Sequence, residues 1–326
     1  TKRSFIIWGT VIVVCIISFF VRGLSQSIDF TGGRNFVVQF EQVVQPETVR
    51  SLLQPKVGDA NVQAIALGTD GKTIRVTTNY RIEEDSPTID AEIEEFLYDA
   101  LKEGNLLGEG TTLEIFIDRD NRAGGSIISS QKVGPSIADD IKTSAIWSVL
   151  FALVAIGLYI LLRFRNVAYS VGATVALAVD TVLIIGAYSL CYGWVPFSLE
   201  IDQTFIGAIL TAIGYSINDK VVIFDRIREN IGLYPKRSRE DIMNESLNET
   251  LSRTFSTSAS VLVVMIAIFV WGGETIRGFI FALLIGTILG VYSTLFVAVP
   301  IAHDIVIKKN KKKELGSAKA TATEKK

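Results

Sequence analysis

Six long apolar runs, at about 5–21, 145–162, 167–190, 204–224, 256–271 and 279–302, constrain this chain more than any other feature. A helix needs about 20 residues to cross a hydrocarbon core, at a rise of about 1.5 Å per residue. The first and fifth runs are short by that measure and must take in polar flanks. The chain is 49% hydrophobic, and the clustering of that fraction into runs separates it from a large soluble core. The expected class is a polytopic α-helical membrane protein with six transmembrane helices. A first helix spans 1–21, and a five-helix bundle spans 144–303.

Basic residues orient these spans. Lys2 and Arg3 precede the first, and Arg163 and Arg165 form a tight turn between the second and third. Arg226, Arg228, Lys236, Arg237 and Arg239 follow the fourth, and Lys308, Lys309 and Lys311 to Lys313 follow the sixth. With six crossings all four groups fall on one side. The other side holds Glu200, Asp202, Glu274 and Arg277. The positive-inside rule then puts both termini in the cytoplasm and the long first loop outside.

That loop, 22–143, is long enough to fold alone. It carries 20 acidic and 12 basic residues. Residues 35–41 alternate as a strand, and Pro46 suits the start of a short helix over 46–53. Strands at 61–67 and 73–79 flank the turn Thr69-Asp70-Gly71. Ile93, Phe96, Leu97, Ala100 and Leu101 recur at helical spacing within 90–102. Residues 112–118 read as a last strand. The order is β-α-β-β-α-β, a ferredoxin-like α+β arrangement, which by itself implies no function. Gly134-Pro135-Ser136 then starts a helix that feeds the second span.

Charged groups inside spans are costly and mark ion or proton pathways. Asp180 lies mid-way along the third span, Asp219 and Lys220 in the cytoplasmic half of the fourth, and Arg253 just before the fifth. Gly207, Thr211, Gly214 and Asn218 form a small, polar stripe beside Asp219. Asp219 and Arg253 fall near the cytoplasmic ends of neighbouring spans, which makes a direct or water-bridged pair reasonable. Two readings stand for Asp219: a static ion pair that sets helix register, or a carboxylate that exchanges a proton. Asp180 could equally bond to hydroxyls such as Thr174 or Thr181. Lys220 either snorkels to the interface or pairs with Asp219. Gly286 and Gly290 form a GxxxG, a close-packing signal.

The cytoplasmic segment 225–253 includes 239–251, with Ile242, Met243, Leu247 and Leu251 on one face. It reads as an amphipathic helix at the membrane surface, capped by Ser238 with Asp241. The tail, 304–326, is Lys-rich and suited to contact with anionic lipid. Cys15 and Cys191 read as small buried hydrophobes rather than a disulfide. One histidine and two cysteines leave no zinc or haem constellation, so no metal or cofactor is expected. There is no phosphate loop, no HExxH and no nucleophile elbow, so no enzyme is expected. Nothing points to nucleic acid. The Thr1 start is that of a processed product or a piece of a longer polypeptide.

Three motifs bring a family into view. They are Asp29-Phe30-Thr31-Gly32-Gly33 after the first run, Gly134-Pro135 before the second, and Gly214-Tyr215-Ser216-Ile217-Asn218-Asp219 continuing into Asp225-Arg226-Ile227-Arg228-Glu229-Asn230. Together they resemble the SecF family, the smaller half of the SecD–SecF protein-export pair and a relative of the resistance-nodulation-division transporters. The resemblance covers nearly the whole chain. It implies a proton-motive-force-coupled auxiliary subunit in the bacterial inner membrane. The partners it implies are SecD, SecYEG, SecA, YidC and the translocating preprotein. It also implies a proton path through Asp219 and Arg253, with Asn218 and Asp180 nearby, shared with a membrane Asp of SecD. Two positions depart from the family: Lys220 stands where a small residue is usual, and Val179 where His is often found. An exporter half for lipid or small hydrophobic molecules, or a non-transporting scaffold, are the alternatives.

Overall fold

The computed structural model describes residues 2–308 except 68, 69, 85, 122, 123 and 196. Thr69 of the expected turn and most of the Lys-rich tail therefore lie outside the described residues. Helix α1 (Lys2–Arg22) leads through a single helical turn, α2 (Ile28–Thr31), into a small α+β domain. That domain comprises β1 (Gly33–Gln39), α3 (Pro46–Leu53), β2 (Val62–Leu67), β3 (Thr73–Thr78), α4 (Pro87–Glu103), α5 (Leu113–Ile117) and β4 (Ser126–Val133). The strands lie in the order β2-β3-β1-β4, and every neighbouring pair is antiparallel.

Strand alternation builds the core. Phe36 and Val38 of β1, and Ile74 and Val76 of β3, point to the face covered by α3 and α4. Val49 and Leu53 of α3 meet Ile93, Leu97 and Leu101 of α4 there. Ser86 caps α4 by accepting from the Thr88 amide, so the helix starts three residues before its apolar period does.

Residues 112–118 are not the last strand. Thr112 Oγ1 accepts from the Ile115 amide and caps α5, whose Phe116 is fully buried against Tyr98. The β-branched and aromatic pattern gave way to a cap plus one deep apolar anchor. The last strand is β4, whose serines mask it in the sequence. It pairs with β1 along its whole length, from Gly33 opposite Val133 to Gln39 opposite Ser126.

Five helices form the bundle: α6 (Pro135–Phe164), α7 (Val167–Cys191), α8 (Gln203–Leu233), α9 (Arg239–Trp271) and α10 (Glu274–Ser293). A π-turn at Thr294–Ala298 carries α10 onward, so that Ile276–Lys308 is one apolar span. These five are long and apolar enough to cross a membrane; α1 contributes a shorter apolar helix, Ile6–Arg22. Pro135 starts a single helix that runs on through the second apolar run, as the sequence indicates.

The segment expected to lie flat on the membrane surface does not stand apart. Residues 239–251 are the first turns of α9, which continues unbroken to Trp271. Ser238 caps it, accepting from the Asp241 amide at 3.1 Å. Ile242 and Met243 are buried, and Met243 and Leu247 pack with Ile223, Phe224 and Ile227 of α8. A helix whose apolar face already has a protein partner has no need of the lipid interface.

The expected close packing at Gly286 and Gly290 is present. A Cβ on Gly286 would come within 2.6 Å of Ala212, and one on Gly290 within 2.7 Å of Ser216 Oγ. The α8–α10 seam is therefore built on backbone approach.

Candidate functional site

Two of the sequence motifs meet at the junction of the domain and the bundle. Gly32 and Gly33 take φ of 72° and 154°, where a side chain would be strained. A Cβ on Gly32 would stand 3.3 Å from Pro135 Cα, and one on Gly33 2.7 Å from Ile28. The pairing of Gly33 with Val133 brings the Gly-Gly turn against the start of α6. Phe30 inserts into a bundle cluster with Leu199, Ile201 and Phe205. Ser27 N–H donates to Ile201 O at 3.0 Å, and Ile201 N–H to Ser25 O at 2.8 Å.

Asp29 serves the bundle directly. Its Oδ2 accepts from the Gln203 amide at 3.1 Å, while Asp202 Oδ1 accepts from the Phe205 amide at 2.8 Å. Two carboxylates thus satisfy the exposed amides at the start of α8, where the helix dipole also favours negative charge. Beside them Glu200 is almost enclosed, 3.7 Å from Arg75 of β3. Burial pushes the Glu200 carboxyl above the usual carboxylate range; Arg75 offsets part of this, while Asp202 and Asp29 add to it. Asp29, Arg75, Glu200 and Asp202 line a polar cavity of about 250 Å³ between sheet and bundle.

The bundle interior holds a second set of charges. Lys220 is fully buried, and its Nζ lies 3.2 Å from Asp180 Oδ2. Lys220 therefore neither snorkels nor pairs with Asp219. Asp180 bonds to Ser216 and Ser293, at 2.8 Å each, rather than to Thr174 or Thr181. Thr181 instead donates back to Leu177 O. Ser293 has no sequence signal beyond one hydroxyl in an apolar run; only the α8–α10 seam places it here.

Asp219 lies apart from this network. It is buried, and its Oδ2 has no hydrogen-bond partner. Thr254 and Ser258 are buried one turn apart on the facing helix α9, with the Ser258 hydroxyl toward the Asp219 carboxylate. Arg253 is exposed, and among the described residues no ion pair joins it to Asp219. The expected direct Asp219–Arg253 pair is thus not formed, because Arg253 turns outward while Thr254 turns inward. Asn218 is exposed too, as are Gly207, Thr211 and Gly214. The small, polar stripe of α8 faces away from the chain's own helices. The buried stripe is instead Ala208, Ala212, Ser216 and Lys220.

The motif after Asp219 fastens one end of the bundle, joining α8 to α6 and α9. Asp225 Oδ2 pairs with Arg163 at 3.0 Å, and Arg226 Nε with Glu249 at 2.6 Å and Nη1 with Glu229 at 2.7 Å. Asn230 Nδ2 donates to Ser246 Oγ and Glu249 Oε2, each at 2.9 Å. Arg228 is exposed, and Tyr215 Oη donates to Thr257 O at 3.2 Å.

This arrangement has known counterparts. The family model for the protein export membrane protein SecD/SecF C-terminal region matches residues 117–308, and the SecD/SecF GG motif matches 17–42. The chain is 36% identical, over 98% of its length and 95% of the relative's, to the protein translocase subunit SecF of Rhodothermus marinus. The chain belongs to the SecF family. The SecF subunit of Vibrio alginolyticus is 33% identical over 95% of this chain and 89% of its own. Among solved structures, SecDF from Thermus thermophilus, a translocon-associated membrane protein, is 28% identical with a TM-score of 0.73 over 95% of this chain. A second SecDF structure, in the super-membrane-facing form, gives a TM-score of 0.62 at 29% identity. This SecF-family chain spans about two fifths of those SecDF chains, 38% and 39% respectively. Its Gly-Gly motif is the junction of domain and bundle described above, and its Asn-Asp motif carries Asp219.

Proposed function

We propose that this chain works with a SecD half as a proton-coupled auxiliary unit of the Sec translocase, promoting preprotein export without catalytic chemistry of its own. One observation carries the reading: Asp219 is a buried carboxylate held outside the Lys220–Asp180 network, facing the buried Ser258 hydroxyl of α9. Such a carboxylate binds a proton when enclosed and gives it up when water or a cation reaches it. The charges of Lys220 and of the exposed Arg253 both reach it. The outward stripe Gly207, Thr211, Gly214 and Asn218 is the close-packing surface that a SecD helix would cover, and the chain's match to part of SecDF supports that pairing. SecYEG, SecA and YidC enter as the wider assembly.

The chain is read as having six spans, both termini cytoplasmic, and the ferredoxin-like domain outside. The packing of α1 supports counting it as a span beside the five longer helices. Cys15 abuts Gly186, Ser18 bonds Ser189 at 3.0 Å, and Arg22 bonds Leu190 O and Tyr192 O. The α7-side partner advances with the α1 residue, so the second half of α1 runs in the same direction as α7, as two helices crossing the same way would lie.

The test is Asp219→Asn in a SecD-containing membrane, with export of a reporter followed with and without a proton gradient. Loss of the gradient-dependent part is expected, and Arg253→Met should show the same loss. Export that keeps its full gradient dependence in both variants would leave a purely scaffolding role.

A further inference from the structure

Lys220 has three N–H groups, and each meets its own oxygen. Nζ donates to Asp180 Oδ2 at 3.2 Å, to Ser216 Oγ at 2.5 Å and to Ser293 Oγ at 3.1 Å. Both hydroxyls in turn donate to the same Asp180 Oδ2. Each N–H of Lys220 thus has an oxygen within hydrogen-bond distance, and all three groups converge on one carboxylate oxygen. Asp180 Oδ1 is buried and has no partner.

Three oxygens, one each from α7, α8 and α10, thus surround the Lys220 Nζ inside the bundle. One carboxylate and two hydroxyls are hard donors, suited to a small, hard cation rather than a soft metal. Here the positive charge arrives on a side chain and cannot leave. Asp219, the preceding residue on α8, points about a quarter-turn away and keeps an oxygen free.

We propose that the Lys220 ammonium fills a monovalent-cation position formed by Asp180, Ser216 and Ser293, and that Lys220 is therefore the residue that excludes sodium from the bundle of this chain. The consequence for coupling, dependence on protons and not on sodium, rests on the function proposed above; the occupancy of the position does not.

Two variants of the full-length chain separate this from simple core packing. Lys220→Ser empties the position and keeps it polar, whereas Lys220→Met fills it with an uncharged chain. Each is purified in detergent, and its melting midpoint is followed in sodium chloride against choline chloride at equal ionic strength. The midpoint of Lys220→Ser should rise with sodium and stay level with choline, including recovery of a fold lost in choline. The wild type and Lys220→Met should respond alike to the two salts. Lys220→Ser should also retain radiolabelled sodium on a desalting column, and the wild type should not. An equal response of Lys220→Ser to both salts, failure to fold in both, or no sodium retained would each overturn the proposal. These readouts are binding and stability, so their failure is distinct from a failure of the Asp219 export experiment.

Discussion

Lys220 Nζ lies 3.2 Å from Asp180 Oδ2, and the two side chains are only 0% and 3% exposed. Removing one member of such a pair leaves a bare charge in a low-dielectric interior, at a cost of about 3–5 kcal/mol. Lys220→Met alone should lower stability by about that amount. The double variant Asp180→Asn/Lys220→Met should recover most of it. Detergent melts of the two variants and the wild type check this, and a double variant no more stable than the single would contradict it.

The α8–α10 seam depends on the absence of side chains at Gly286 and Gly290. Gly286→Leu must push Ala212 and the α8 backbone away, since even a Cβ would overlap Ala212. Overpacking of this kind costs about 1–3 kcal/mol. Because the same seam holds Ser216 and Ser293 around Lys220, Gly290→Leu should also disturb the charge network. Trypsin resistance of the folded chain should fall for both variants.

The Glu200 carboxyl is held above its ordinary range by burial. A raised value in the fold means that the native state binds the proton more tightly than the unfolded chain. The resulting stability is fully present below the ordinary glutamate value of about 4.3 and is lost as pH rises through the elevated value. The junction should therefore loosen with rising pH in that window. Hydrogen exchange at the Ser27 and Ile201 amides, corrected for intrinsic rates, should report it, and Glu200→Gln should flatten the dependence.

Asp29→Ala removes the acceptor of the first amide of α8. Loss of a helix cap typically costs about 1 kcal/mol. Asp29→Asn, which keeps an acceptor oxygen, should cost less. Exchange protection at Gln203 should fall in the order wild type, Asn variant, Ala variant.

Buried Phe116 tests the corrected role of residues 112–118. As a fully enclosed core residue, its replacement by Ala should cost about 3–5 kcal/mol, far more than truncating an edge-strand side chain. Chemical denaturation of the full chain, followed by Trp fluorescence, measures the difference.

Much of this fold was legible in the sequence because the governing forces are local or periodic. Apolar runs announce the bundle helices, Pro135 announces the start of α6, Ser238 the start of α9, and alternation gives β1 and β3. The GxxxG at Gly286 and Gly290 named its own close packing. Residues 112–118 misled because β-propensity is weak beside a capping hydroxyl and one deeply buried ring. Residues 239–251 form a helix as their period indicates, but an amphipathic face does not say that the helix will run on into the next span or that α8 will cover part of it.

The sequence by itself determined that costly charges sit within apolar helices and that Asp219 is among them. Only the tertiary structure decided how they divide: Lys220 with Asp180, Asp219 with an open oxygen, Arg253 outward, and Asp29 on the end of a distant helix. Periodicity tells which residues share a face of one helix. Which face meets which neighbour depends on packing across α7, α8 and α10, where the absence of a side chain at two glycines brings Ser216 and Ser293 to the same carboxylate.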